Sequence, residues 1–176
     1  MEIVIALAGN PNSGKTTLFN ALTGSNQFVG NWAGVTVERK EAMFELEEDH
    51  AKLVDLPGVY SLSPYSIEEN ITRHFIAQHQ PDVVLNIVDA TNLERNLYLT
   101  LQLMELERPV VVALNLMDEL ARRGETIDTK KLSEALGAPV VPISAKKKQG
   151  FDELFSAIHA LAHHPQFANP AKHYEP

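Results

Sequence analysis

The chain has 176 residues, 23 acidic and 15 basic side chains, a formal charge of −8, and 44% hydrophobic residues. That is the size and composition of one globular domain, which excludes disorder as a global description, and the acidic balance argues against a general nucleic-acid binder with a basic stripe. There is no Cys, so disulfides, thiolate metal sites and a Cys nucleophile are excluded.

No apolar run reaches the ~18 residues of a membrane span. The amino terminus lacks a basic region followed by an apolar stretch, so no secretory signal is expected and the chain reads as cytoplasmic. In chain order, residues 3–8 read as a buried strand, 9–14 as a loop and 15–22 as a helix start. Residues 35–46 and 51–56 read as paired strands joined by an acidic turn over 47–50, an exposed hairpin. Residues 67–78 read as a helix and 82–88 as a strand. Leu93, Leu97, Leu101 and Met104 fall on one helical face, which Pro109 ends. Residues 110–114 are a strand, 130–136 a short helix closed by Gly137, 140–143 a strand and 151–161 a helix. Strands alternating with helices predict an α/β fold, a mostly parallel sheet with helices on both faces. Ligands in that architecture sit at the carboxyl ends of the strands. The polar, Pro-punctuated end reads as a tail, with a domain over 1–165 and a tail or linker over 166–176.

Gly9-Asn10-Pro11-Asn12-Ser13-Gly14-Lys15-Thr16 matches G-x-x-x-x-G-K-[ST] between a strand and a helix, the context of a P-loop. Glycines let the backbone wrap a phosphate, and the helix N-terminus supplies free N–H groups and partial positive charge. Lys15 would reach the β/γ-phosphates and the Thr16 hydroxyl would bind Mg²⁺. Asp55-Leu56-Pro57-Gly58 ends the next apolar strand, 40 residues beyond Lys15. There an Asp holds Mg²⁺ through water and the Gly N–H approaches the γ-phosphate. Asn115-Leu116-Met117-Asp118 matches N-x-x-D, in which the carboxylate accepts two donors from a guanine edge, and adenine offers no such pair. Leu116 stands where many GTPases have Lys, so weaker nucleotide affinity is expected. Ser144-Ala145-Lys146 would support the base O6 through backbone N–H groups, while Lys147 and Lys148 read as a solvated loop. Between the P-loop and Asp55, Val29-Gly30-Asn31-Trp32-Ala33-Gly34-Val35-Thr36 reads as a flexible loop. Its Thr36 would give Mg²⁺ a hydroxyl and the γ-phosphate a backbone N–H. Trp32, read as exposed, is either ordinary packing or a partner anchor.

The order P-loop, Thr, D-x-P-G, N-x-x-D and S-A-K is specific even though its parts are not. With GNPNSGKTTLFN from Gly9, VGNWAGVTVERK from Val29 and DLPGVYSLSPYSIEEN from Asp55, residues 1–165 resemble the amino-terminal G domain of the FeoB family of bacterial ferrous iron transporters. The resemblance implies a Ras-like P-loop GTPase fold and Mg²⁺-dependent GTP hydrolysis coupled to Fe²⁺ uptake. It implies partners in a following helical domain and a polytopic region in the bacterial inner membrane. It places phosphates on Gly14, Lys15, Thr16 and Thr17, Mg²⁺ on Thr16 and Thr36 with Asp55 behind, and guanine on Asn115 and Asp118 with Ser144 to Lys146 behind.

Val59 and Tyr60 occupy the place where Ras-like enzymes carry a water-orienting Gln. In related GTPases lacking that Gln, a K⁺ ion replaces an arginine finger. The resemblance gives it Asn12 and carbonyls near Gly30 to Trp32, the alternative for Asn12 being a turn residue bonding its own loop. Arg39, the nearest basic residue, is expected to point away. Of seven His, His159 and His163 are i, i+4 on the last helix and read as a solvated helix end, as no carboxylate lies near them in sequence. No iron site is placed here, and neither direct lipid binding nor nucleic-acid binding is expected. A nucleotide-controlled binding switch with slow hydrolysis, and a GTPase of RNA or ribosome assembly, stay open as alternatives.

Overall fold

The computed structural model describes residues 1–24 and 26–167. Most of the expected tail, and His173, lie outside the described residues. Among the described residues seven strands form one sheet: β1 (Glu2–Gly9), β2 (Gln27–Asn31), β3 (Glu38–Leu46), β4 (Asp49–Asp55), β5 (Val83–Asp89), β6 (Val110–Asn115) and β7 (Val140–Pro142), in the order β2-β3-β4-β1-β5-β6-β7. β4, β1, β5, β6 and β7 are parallel, and β2 and β3 add an antiparallel edge. The helices are α1 (Lys15–Thr23), α2 (Ile67–His79), α3 (Leu93–Met104), α4 (Met117–Arg122), α5 (Thr129–Leu136) and α6 (Phe151–His163), with one 3₁₀ turn at Ala90–Asn92. This is the Ras-like G-domain architecture.

The central strands are buried on both faces, as their unbroken apolar runs require. Ile3, Ile5 and Leu7 of β1 face one core with Leu18 and Phe19 of α1 and Leu154, Ile158 and Leu161 of α6. Ala6 and Ala8 face the other with Phe75 and Ile76 of α2 and Leu99 and Leu103 of α3. Helix ends follow local chemistry. Ser66 caps α2 by accepting the Glu69 N–H at 3.1 Å, and Glu68 and Glu69 sit in the positively polarised first turn. Asp128 caps α5 through the Lys131 N–H, and Gly137 closes it at φ 69°.

Four expectations are corrected. The hairpin turn is two residues, Glu47 and Glu48, because Asp49 already pairs with Leu46. Part of the expected flexible loop is the edge strand β2, whose backbone pairs with β3 although Phe28 and Val29 are exposed. On α3 the core face takes in Asn96, Leu99, Thr100, Leu103 and Met104, with Leu93 and Leu97 half-buried against it, but the expected Leu101 is 37% exposed. The buried polar pair decides that face, since Thr100 Oγ1 donates to Asn86 of β5 at 2.6 Å. Trp32 is buried, edge-on to Phe75, with the Arg39 guanidinium 4.5 Å above its ring. It is packing rather than an exposed anchor.

Candidate functional site

Every motif loop leaves a strand at its carboxyl end, so the topology gathers them at one rim of the sheet. After β1 the chain turns on Asn10, whose carbonyl accepts the Ser13 N–H (3.2 Å) and hydroxyl (2.7 Å). Asn12 and Gly14 both have positive φ, 67° and 94°. At Gly14 a Cβ would overlap the Asn115 amide nitrogen, so this position needs Gly for space as well as backbone. α1 follows with Thr16 and Thr17 exposed in its first turn, where backbone N–H groups have no helical partner.

A crevice of about 410 Å³ lies over this loop, lined by Asn10 to Asn12, Gly14 to Thr17 and Gly58. Asn10 is 3% exposed, and neither its amide oxygen nor its nitrogen has a partner among the described residues. Buried amides are ordinarily bonded. An unpaired one lining the P-loop crevice fits a site that a ligand completes.

Asp55 ends β4 beside the P-loop. Lys15 Nζ donates to Asp55 Oδ1 at 2.5 Å, and Lys40 Nζ is 4.0 Å from Oδ2. Burial pushes the Asp55 carboxyl above its ordinary pKa, with the Lys15 ammonium opposing that shift. Leu56 N–H donates to Leu7 and Val59 N–H to Gly9, so the D-x-P-G turn is tied to β1 and Gly58 rests against Pro11. Val59 is 4% exposed and packed in the core, so it has no polar atom to offer a water. Tyr60 is partly exposed under the Arg95 guanidinium, 4.4 Å away. Arg95 borders a second small polar crevice with Asn10 and Asn12. Its place on α3 gave no sequence signal.

The residues between β2 and β3 are not gathered into the crevice. The Trp32 N–H donates to Val37 and closes a turn containing Gly34 (φ 78°), Val35 and Thr36. Thr36 is exposed and does not line the P-loop crevice, because buried Trp32 holds the turn against α2. Arg39 bonds Glu41 at 3.2 Å, covers Trp32 and does not line the P-loop crevice.

On the other side Asn115 is a tie. Its Nδ2 donates to the Ser13 carbonyl at 3.0 Å and its Oδ1 accepts the Ala145 N–H at 2.9 Å. The Ala145 N–H is thus bonded to Asn115 in this structure. Leu116 takes a left-handed conformation, φ 67°, and starts α4, a helix the motif reading left out. That turn puts Met117 and Asp118 in the first turn of α4. Burial works to raise the Asp118 carboxyl, but the backbone N–H groups of Asp118 and Glu119 and the Lys147 ammonium hold it below its ordinary value. Lys147 Nζ stands 3.5 Å from Asp118 Oδ2, so Lys147 is not merely solvated, while Lys146 and Lys148 are exposed. Ser144 is buried and accepts the Lys147 N–H at 3.3 Å.

The sequence matches the family model described as ferrous iron transport protein B over residues 3–158. It is 53% identical over 161 residues to the Fe(2+) transporter FeoB of Salmonella typhimurium, covering 89% of this chain and 21% of that protein. It is 52% identical over 157 residues to a FeoA–FeoB fusion protein of Porphyromonas gingivalis, covering 89% of this chain and 19% of that one. The chain thus spans about a fifth of the length of these curated relatives. Among solved structures, the FeoB G domain of Methanococcus jannaschii superposes with TM-score 0.83 at 52% identity, covering 92% of this chain and 98% of that one. The cytosolic domain of T. maritima FeoB in a GDP form superposes with TM-score 0.92 at 42% identity, covering 96% of this chain and 66% of that one. With the P-loop, D-x-P-G and N-x-x-D loops assembled on one rim and the family model covering most of its length, this chain belongs to the ferrous iron transport protein B family, in the region of its G domain.

Proposed function

We propose that this chain binds GTP and GDP and hydrolyses GTP, as the nucleotide-operated part of a bacterial ferrous iron transporter. The observation that carries the reading is the Asn115 bridge, which holds the P-loop and the Ser144-Ala145-Lys146 loop in one rigid frame. That frame sets a phosphate cradle and the ionised Asp118 carboxylate on the same rim. Gly9 to Thr17 hold the phosphates, with Lys15 leaving Asp55 to meet the β/γ-phosphates. Asp118 selects guanine by accepting its two edge donors, and Lys147 keeps that carboxylate charged. Leu116 and Met117 cover the base.

The residues present fit Mg²⁺: the hydroxyls of Thr16 and Thr36 would hold it, with the Asp55 carboxylate behind them. When bound, it neutralises charge developing between the β- and γ-phosphates. Lys15 adds fixed positive charge at the same place, and the Gly58 N–H meets the γ-phosphate. Because Thr36 lies outside the crevice here, the 32–37 turn closes only when a γ-phosphate is present to accept its N–H. That motion favours a second role, a switch whose closed turn signals to the helical and membrane parts of the parent protein in the bacterial inner membrane. The acidic charge counts against an RNA-assembly role.

Competition against a fluorescent guanine nucleotide tests this, together with phosphate release. GTP and GDP should displace the probe and ATP at similar concentration should not. Asp118→Asn should weaken guanine binding by about 1–3 kcal/mol, and Lys15→Ala should abolish turnover. Displacement by ATP, or unchanged turnover in Lys15→Ala, would overturn the assignment.

A further inference from the structure

At the opposite end of the sheet from the P-loop, three metal-ligating side chains converge. Asp49 opens β4, while His159 and His163 lie one turn apart on α6. His163 Nε2 is 2.6 Å and His159 Nε2 3.3 Å from the same oxygen, Asp49 Oδ2. The imidazole centroids are 4.4 Å apart, and one ligand atom from each residue falls within 4.8 Å of the others. Residues at i and i+4 share a helix face, which is how paired His reach one ion.

We propose that Asp49, His159 and His163 bind a divalent first-row transition-metal ion, separate from the nucleotide site. Two neutral imidazoles and a carboxylate on one face form a tridentate set that suits Zn²⁺, Fe²⁺, Co²⁺ or Ni²⁺ and leaves positions for water. Ligand bonds of about 2.1 Å at 90–109° place donor atoms roughly 3.0–3.4 Å apart. The His159–Asp49 spacing already meets this, and His163 needs to withdraw by less than an ångström. Asp49 is anchored: it is 7% exposed and its other oxygen lies 3.4 Å from the Met1 amino group. The imidazoles are about one-third exposed and border an open crevice with Glu48 and His164, so an ion has a path in. The site is remote from phosphate chemistry: Asp49 and Asp55 are the two ends of β4, six strand steps or roughly 20 Å apart.

The experiment is calorimetric titration of the tag-free, nucleotide-free chain with Zn²⁺, and with Co²⁺ read by its visible absorption. Saturation at one ion per chain is expected, with at least about tenfold weaker binding in Asp49→Asn, His159→Gln and His163→Gln. Lys15→Ala and His74→Gln should bind as the parent chain does, and circular dichroism should show every variant folded. Each His variant keeps an exposed polar side chain, so folding is preserved even if Asp49→Asn is unstable. A parent chain that never saturates, or a His159→Gln/His163→Gln double variant with unchanged affinity, overturns the proposal and leaves the cluster as an ion pair.

Discussion

At Asn12 one residue carries two demands. Its left-handed backbone suits Asn, which tolerates that region better than other non-glycine residues. Its side chain is exposed and lines the P-loop crevice. Val59 is buried and Arg39 faces Trp32, so neither answers the charge that builds during hydrolysis. Faster GTP turnover in K⁺ than in Na⁺ is therefore expected, with the difference lost in Asn12→Ala. Alanine also strains this backbone by roughly 1–2 kcal/mol, so Asn12→Gly is the informative partner: it removes the amide without strain. Loss of the K⁺ advantage in both variants assigns it to the amide, and loss in Ala alone assigns it to loop shape. Equal rates of the parent chain in both salts, at equal nucleotide affinity, would make an external activating partner the better reading.

Elements gather the site through ties that cross long stretches of chain. Asn115 at the end of β6 joins a carbonyl 102 residues earlier to an N–H 30 residues later. Truncating it leaves two buried backbone groups unpaired, each costing about 1–3 kcal/mol. Asn115→Ala should thus lower stability by roughly 2–6 kcal/mol in urea unfolding and weaken nucleotide binding as a consequence. Asp118→Asn keeps an acceptor for the same backbone N–H groups and should cost less stability than Asn115→Ala, so the two members of one motif separate in a single denaturation series. The strands and motif loops of this site were legible in the sequence because each loop directly follows an apolar run. What Asn115 does was not, since N-x-x-D spacing is silent about which atoms its amide meets. β2 escaped because its alternation is broken by Gly30 and its pairing is backbone to backbone. On α3 the leucine spacing placed Leu93, Leu97 and Met104 against the core but put Leu101 there too, and it passed over Asn96 and Thr100, which bond the Asp89 N–H and the Asn86 side chain of β5. His159 and His163 read as solvated for the same reason: Asp49 is more than 100 residues away in the chain.

Across the whole molecule, α6 and the β3–β4 hairpin are held together by that Asp49 cluster, which makes part of the stability depend on pH. The His163 hydrogen bond, more than any other influence, holds the Asp49 carboxyl below its ordinary value of 3.8. A folded pKa below the unfolded one contributes stability that is complete above the unfolded value and disappears as pH falls through the folded one. The stability gap between the parent chain and Asp49→Asn should be full in urea unfolding well above the ordinary carboxyl value of 3.8 and shrink as pH falls below it. A gap that persists unchanged in acid would mean that Asp49 acts by packing rather than by charge.

The final expectation follows from the way one rim joins four strands. β1, β4, β6 and β7 all end on one rim of the sheet, so a nucleotide spanning the P-loop and Asp118 binds only the assembled domain and not the unfolded chain. At a nucleotide concentration of about 100 times Kd, that linkage adds about 2.7 kcal/mol to unfolding. For a domain of this length, each kcal/mol moves Tm by roughly 2–4 °C. GDP with Mg²⁺ should therefore raise Tm by roughly 5–11 °C in calorimetry. ATP should leave Tm unchanged, since adenine gives Asp118 no pair of donors. Lys15→Ala should reduce the shift, because its loss removes a phosphate contact. An equal shift with ATP would place the stabilising contacts on the phosphates alone and remove Asp118 from the recognition of the base.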